Sequence, residues 1–428
     1  MRRSKGSSGK PGELFRRQLG RQSLSLCRRL LRAHRLCDSC LGRQLAQLST
    51  GMTNAERGRI IRDVLGEFVS ERQPATKLGK RPKASSKSSG GTAHPPKSQP
   101  CEVCGSFFSN LQRWVDEAEE KLKAYEFKSF AVGTKPGADI VRREEALWEE
   151  IGIEHCEPFR SESNREFGKA LWARIRKEVD EKNPDILVIL DLGKGEVSLD
   201  IRSVYVAGSY KKLVRGIPQT KWDRYPVTVE DIIAKPFMKA LKGKGHSLHA
   251  AGREDIDARC LDWRPFVLEI GQPVKRKASL TAMAAAINKT KKVEVRGLKS
   301  AGRQDVLAVK EMRHDKEYRL LVEFEGEPDK GRLKQLTKLI GVIEQQTPTR
   351  VMHRRADLLR KRHVKSLKWR KVKTKGKKDI YEIQIRGDAG LYAKEFVTGD
   401  DGRTKPSVAE FVGAPVKVLE LDVVKIYA

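Results

Sequence analysis

The sequence predicts an α+β protein: an N-terminal cysteine-bearing module, a small α/β accessory domain, and a larger domain on a mainly antiparallel β-sheet with flanking helices. Three observations carry this. Two Cys-x-x-Cys pairs stand in the first quarter of the chain; helix-period and strand-like runs alternate over residues 105–215; strand-like runs dominate residues 216–428. With 428 residues, 38% of them hydrophobic, the chain can build two or three ordinary cores.

Residues before about Gln22 are basic and polar and read as a mobile arm, and from Leu24 to Val69 apolar positions recur at helical spacing around the first cysteine pair. Cys37, Cys40, Cys101 and Cys104 can bring four thiolates to one tetrahedral ion, so a structural zinc is expected in a module spanning 1–104. Two unrelated buried or redox pairs are the alternative. A total of seven cysteines, an odd number, argues against a disulfide framework. The stretch 72–100, rich in Lys, Ser, Gly and Pro, reads as a flexible insertion between the pairs, and closing so long a loop costs little extra because the cost grows logarithmically.

Leu111, Val115, Ala118, Leu122 and Tyr125 fall on one face of a helix that Ser109 or Asn110 could cap. Phe130 to Val132 reads as a short strand. Phe167, Leu171, Ile175 and Val179 mark a second helix that should stop before Asn183-Pro184, since the residue preceding proline avoids the helical region. Asp185 to Leu190 is a buried strand by composition, and Val197 to Val206 should return beside it after the turn at Gly193 and Gly195. Further on, residues 265–270, 292–298, 318–324, 381–386 and 418–427 carry strand patterns, and 280–288 and 330–339 helical ones.

Charge narrows the partner. Lysine and arginine number 87 against 56 acids, a net +31, which points to a polyanion, and first to nucleic acid. No apolar run approaches the ~20 residues that span a bilayer, and the basic N-terminus lacks the apolar stretch of a secretory signal, so a cytoplasmic protein with no membrane or protein partner is expected. The run 350–378 is the most basic, and Arg350, His353, Arg354, Arg355, Arg360, Arg362, Lys368 and Arg370 are candidate RNA contacts, with Trp369 able to stack on a base. Acidic side chains gather in the turn Gly252-Arg-Glu-Asp-Ile-Asp-Ala258; a carboxylate among such cations stays ionised and can act as a nucleophile.

The block 105–215 resembles a THUMP domain, the RNA-binding module of several tRNA-modifying enzymes, on Ser129-Phe-Ala-Val-Gly-Thr134 and Ser209-Tyr-Lys-Lys-Leu-Val-Arg-Gly216. The resemblance implies that Lys211, Lys212 and Arg215 hold RNA phosphates, contacts that position without reading sequence. Ala251-Gly-Arg-Glu-Asp-Ile-Asp257, Gln346-Thr-Pro-Thr-Arg-Val-Met-His-Arg-Arg-Ala-Asp357 and Gly387-Asp-Ala-Gly-Leu-Tyr-Ala-Lys-Glu-Phe-Val-Thr-Gly-Asp400 resemble elements of the archaeal and eukaryotic tRNA pseudouridine synthases. That resemblance implies a catalytic domain over 216–428 that isomerises uridine at positions 54 and 55 of the tRNA T arm and needs no catalytic cofactor. In it Asp255 is the nucleophile, with Asp257 the alternative. Tyr318 stacks on the target base, Lys394 pairs with the aspartate, Leu421 packs against the base pocket, and Arg253 fills the space left by a flipped-out uridine. Trp263 stands where a small turn residue is expected and Ala393 where a larger aliphatic one is. Competing readings are a non-enzymatic zinc-containing tRNA-binding protein and another THUMP-linked tRNA-modifying enzyme; a methyltransferase would need a Gly-rich strand-to-helix turn, which Lys242-Gly-Lys-Gly245 does not supply, and a thiouridine synthetase an ATP-handling loop, for which Ser89-Gly-Gly91 has no strand before it.

Overall fold

The computed structural model describes residues 10–66, 99–222, 224–375 and 378–427. Most of the insertion expected at 72–100 lies outside them. The chain divides into two compact units between Asp200 and Ile201.

The first unit begins with helices α1 (Pro11–Gln18), α2 (Arg21–Ala33), α3 (Asp38–Gly42) and α4 (Asn54–Val64). Here the expectation of a mobile arm is corrected. Phe15 is fully buried and Leu19 nearly so, and these two apolar residues fold the basic segment into α1. A capping box starts α4: the Glu56 amide donates to Thr53 Oγ1 (3.2 Å) and the Thr53 amide to Glu56 Oε2 (2.7 Å), which satisfies two otherwise orphaned N–H groups. Gly58 of α4 lies against α3 so closely that a Cβ there would stand 2.0 Å from the Asp38 carbonyl oxygen; only glycine permits this approach, and it fixes the turn that carries Cys37 and Cys40.

Next come α5 (Leu111–Leu122), β1 (Ser129–Lys135), α6 (Ala138–Ile151), α7 (Phe159–Ile175), β2 (Glu178–Val179), β3 (Ile186–Asp191) and β4 (Glu196–Ile201). The four strands form one sheet in the order β2-β1-β3-β4, with β1 parallel to both neighbours. Val179, expected in the helix, belongs to β2, because α7 ends where Arg176 turns left-handed.

The second unit is a ten-stranded sheet. Its strands are β5 (Val204–Lys212), β6 (Gly245–Ala250), β7 (Ala258–Gly271), β8 (Val293–Ala301), β9 (Asp315–Phe324), β10 (Gly341–Gln345), β11 (Arg360–Lys375), β12 (Lys378–Gly387), β13 (Thr404–Lys405) and β14 (Val416–Tyr427). The order is β13-β10-β11-β12-β9-β14-β7-β5-β8, with β6 also on β7, and the β14–β7 pair is the parallel one. Helices α8 (Val229–Leu241), α9 (Leu280–Asn288) and α10 (Arg303–Glu311) belong to the β5–β8 half; α11 (Lys330–Lys334), α12 (Ala393–Thr398) and α13 (Val408–Val412) belong to the other.

Two expectations change here. The strand expected beside β3 is two strands in two units: β4 stays in the small sheet, while β5 pairs antiparallel with β7 and β8. The basic run is largely β11, a sixteen-residue strand paired with β10 and β12. On β9, burial alternates strictly: Lys316, Tyr318, Leu320, Val322 and Phe324 face inward, which sets two polar residues on the core side.

Candidate active site and cysteine cluster

The turn between β6 and β7 carries Asp255, and its shape is enforced from beneath. Gly252 adopts φ of +85°, a left-handed conformation that favours glycine. Arg264 on β7, wholly buried, faces the equally buried Glu254 carboxylate at 3.1 Å and donates from Nη1 to the Ala251 carbonyl (2.8 Å). Tyr210 donates its hydroxyl to Glu254 (3.0 Å), and Gln219 donates to that hydroxyl (2.7 Å) and to the Gly252 carbonyl (3.0 Å). Burial and the Glu254 charge both hold the Tyr210 phenol protonated.

Lys212 corrects an expectation. It is fully buried, and its ammonium donates to the carbonyls of Asp255 (3.0 Å) and Ile256 (2.9 Å), so from β5 it braces the turn that carries Asp255 and presents nothing to a phosphate. Arg215 is likewise engaged by the chain, donating to the Leu421 carbonyl (2.6 Å) and pairing with Glu420 and Asp422 (2.8 Å each). Lys211 sits 4.2 Å over the Trp263 ring, with Arg296 at the same distance. Trp263 is in no turn: β7 runs on through it, and Leu261 to Trp263 bulge where the register with β5 slips.

Asp255 opens into a cleft of about 650 Å³ whose walls include Arg253, Tyr318, Lys394 and Leu421. The structure therefore brings together all five residues singled out for chemistry. Tyr318 comes from β9, level with Val423 on β14 and Ile385 on β12. Burial pushes its phenol up to about 12, against the pull of Arg264, so it is protonated at neutral pH. Leu421 reaches the cleft because β14 runs parallel beside β7, level with Ala258. Arg253 is exposed at the rim.

The charges around Asp255 differ from expectation in one respect. Lys394 on α12 clasps both oxygens of Asp257 (2.8 Å each) and stands 3.5 Å from Asp255. Partial desolvation opposes its charge, yet this ammonium holds the Asp257 carboxyl below its usual range. The nearest cation to Asp255 is Arg350, expected only as an RNA contact: Nη1 donates to Asp255 Oδ1 (2.9 Å) and Nε to Glu395 Oε1 (2.6 Å). Burial opposes the guanidinium charge, but Glu395 and Asp255 outweigh it and raise its pKa. A charge run in sequence gave no sign that its first member turns inward. Two cations thus flank Asp255 in a partly closed cleft.

The rest of the basic run divides. His353 is exposed, and Arg355 donates to the Tyr392 hydroxyl (3.0 Å), both at the cleft. Arg360 donates to Thr347 Oγ1 (2.8 Å), Arg362 to the Lys361 carbonyl (2.8 Å), and Arg370 makes a forked pair with Glu382 (3.0 and 3.2 Å). Lys368 is exposed. Trp369 is half-buried, its ring 6.1 Å from that of Tyr381 against the core, which corrects the expectation of a free stacking platform. Side-chain surroundings of Arg354 lie outside the described residues.

In the first unit the four expected cysteines converge, their sulfur atoms all within 4.8 Å of one another. Cys37 Sγ and Cys104 Sγ are 3.7 Å apart, and tetrahedral zinc with sulfur bonds of about 2.3 Å requires neighbours about 3.8 Å apart. Backbone amides of Cys40 and Cys37 point at Cys37 Sγ (3.4 Å) and Cys101 Sγ (3.3 Å), donors that suit thiolate ligands. The donor set fits a structural metal. No helix among the described residues is long and apolar enough to cross a membrane.

Compared with known proteins, residues 205–427 match the family model described as Pus10, C-terminal. The chain is 37% identical to the tRNA pseudouridine synthase Pus10 of Methanothrix thermoacetophila, over 94% of each chain. It belongs to the Pus10 family. A second Pus10 relative, the tRNA pseudouridine synthase Pus10 of Thermofilum pendens, is 38% identical over 93% of this chain and 94% of its own. The archaeal Pus10 THUMP domain model matches residues 114–191, which end within the small sheet and exclude β5.

Proposed function

We propose that this protein is a tRNA pseudouridine synthase that isomerises uridine at positions 54 and 55 of the T arm in the cytoplasm, with Asp255 as nucleophile. The reading rests on one observation above others: Asp255, Tyr318 and Lys394, drawn from a turn, a strand and a helix far apart in sequence, line one cleft. A stacked base offers neither C1′ nor C5 to a side chain, so the uridine is flipped out at a cost of a few kcal/mol, and Arg253 at the rim takes its place in the helix. Asp255 bonds to C1′ or to C6 of the ring, the C1′–N1 bond breaks, the uracil turns, C5 bonds to C1′ as the carboxylate is released, and C5 loses a proton while N1 gains one. Product and substrate are isomers, so no redox or group-transfer cofactor enters. Tyr318 stacks on the ring, Leu421 walls the pocket, and Lys394 and Arg350 flank the Asp255 carboxylate. The THUMP region positions the tRNA, and the second unit carries out the chemistry. Incubating the protein with unmodified tRNA transcript and mapping pseudouridine by chemical adduct and reverse-transcription stop tests this; product at 54 or 55 is expected, and none anywhere sinks it.

Cys37, Cys40, Cys101 and Cys104 hold a zinc ion of purely architectural use in this reading. Metal analysis should give about one zinc per chain, and chelation or Cys37→Ser should unfold the first unit, because binding free energy at such a site is folding free energy. Metal-free protein with an unchanged melt would refute it.

A further inference from the structure

The cleft holds a second inward-facing polar residue on the strand that carries Tyr318. Lys316 lies two residues before it, so both side chains leave the same face of β9 roughly 7 Å apart. Only 8% of Lys316 is exposed, and it lines the cleft together with Asp255 and Tyr318. A Cβ built on Gly252 would stand 3.6 Å from its Nζ, so the ammonium lies directly under the turn that presents Asp255. Among the described residues no carboxylate comes within ion-pair distance of it, and its one hydrogen bond goes to the His314 carbonyl (3.1 Å). An ammonium has three donors, so two remain in a site where an unused donor is costly.

Resting on the function proposed above, we infer that Lys316 donates to a ring carbonyl oxygen of the flipped uracil and stabilises the negative charge that gathers there when the C1′–N1 bond breaks. Preorganised donors of this kind act mainly on the chemical step, because the charge they meet exists only in the transition state or intermediate. Position supports the assignment: the residue shares the inward face of β9 with the stacking tyrosine and lines the same cleft. Burial pushes the Lys316 ammonium down to about 8, with Arg264 and Arg313 pulling the same way and Cys260 and Asp315 opposing. From the flanking strands, Gly387 and Ile426 stand level with it, neither charged.

The test is single-turnover pseudouridine formation with saturating enzyme, beside tRNA affinity by filter binding, for wild type, Lys316→Met and Lys316→Arg between pH 6.5 and 8.5. Wild-type turnover is measured first, since its absence would sink the proposed function and leave Lys316 without a reaction to serve. Lys316→Met should slow the chemical step about 10²–10³-fold with affinity within threefold. Wild type should lose rate as pH rises through about 8, where the ammonium deprotonates, whereas Lys316→Arg should recover much of the rate and lose that alkaline fall. Should Lys316→Met fail to fold, the pH profile of Lys316→Arg carries the test. A Lys316→Met rate within threefold of wild type would overturn the inference. So would an affinity loss equal to the rate loss, which marks a phosphate contact, or an arginine variant with the wild-type pH profile.

Discussion

Asp255→Asn should abolish pseudouridine formation, lowering the single-turnover rate by about 10⁴-fold or more, while tRNA affinity stays within a few-fold. The substitution keeps shape and removes charge. An asparagine carbonyl can still accept from Arg350 Nη1, and the Asp255 backbone carbonyl that Lys212 grips is untouched, so the turn should persist. What is lost is the carboxylate that the proposed reaction uses as nucleophile. Asp257→Asn is the control: Lys394 clasps that carboxylate more closely, but it is exposed at the edge of the turn, and its loss should leave turnover in place. If Asp257→Asn were the dead variant and Asp255→Asn the active one, the roles would be exchanged.

The largest stability effect should come from Arg264→Met. Its guanidinium and the Glu254 carboxylate are both fully shielded from water, so removing the arginine strands a buried charge at a cost of about 3–5 kcal/mol. For a unit of this size that lowers the melting temperature by roughly 6–20 °C. Glu254→Gln in the same chain should return much of the loss, because neutralising both partners removes the stranded charge, and the double-mutant cycle measures the coupling. A single-variant loss below about 1 kcal/mol in urea unfolding would show that water or another cation compensates the carboxylate. Activity should fall with stability in Arg264→Met, since Glu254 adjoins Asp255 in the turn.

Much of this architecture was legible in sequence because its signals are local. The alternation at 318–324 reads directly as β9, and the Cys-x-x-Cys spacing suits one tetrahedral ion. What sequence hides is the partner. The pattern of Val204–Lys212 marks a strand but carries no information on which sheet receives it, so β5 was expected in the wrong unit and Lys212 on the wrong side of the surface. Arg350 and Arg264 read as ordinary cations, since nothing in a charged side chain announces its burial. The same limit explains α1, where two apolar residues in a basic segment outweigh its composition.

The position of β14 makes the two halves of the sheet one. Asp255 stands in the half-sheet of β5 to β8, Tyr318 and Lys394 in the half that begins with β9, and within the sheet β14 alone joins them, hydrogen-bonding to β7 on one side and β9 on the other. That keystone follows every other described strand in the chain. Until residues 416–427 dock, the two halves share no edge within the sheet, so the cleft walls from β7, β9 and α12 are not yet one site.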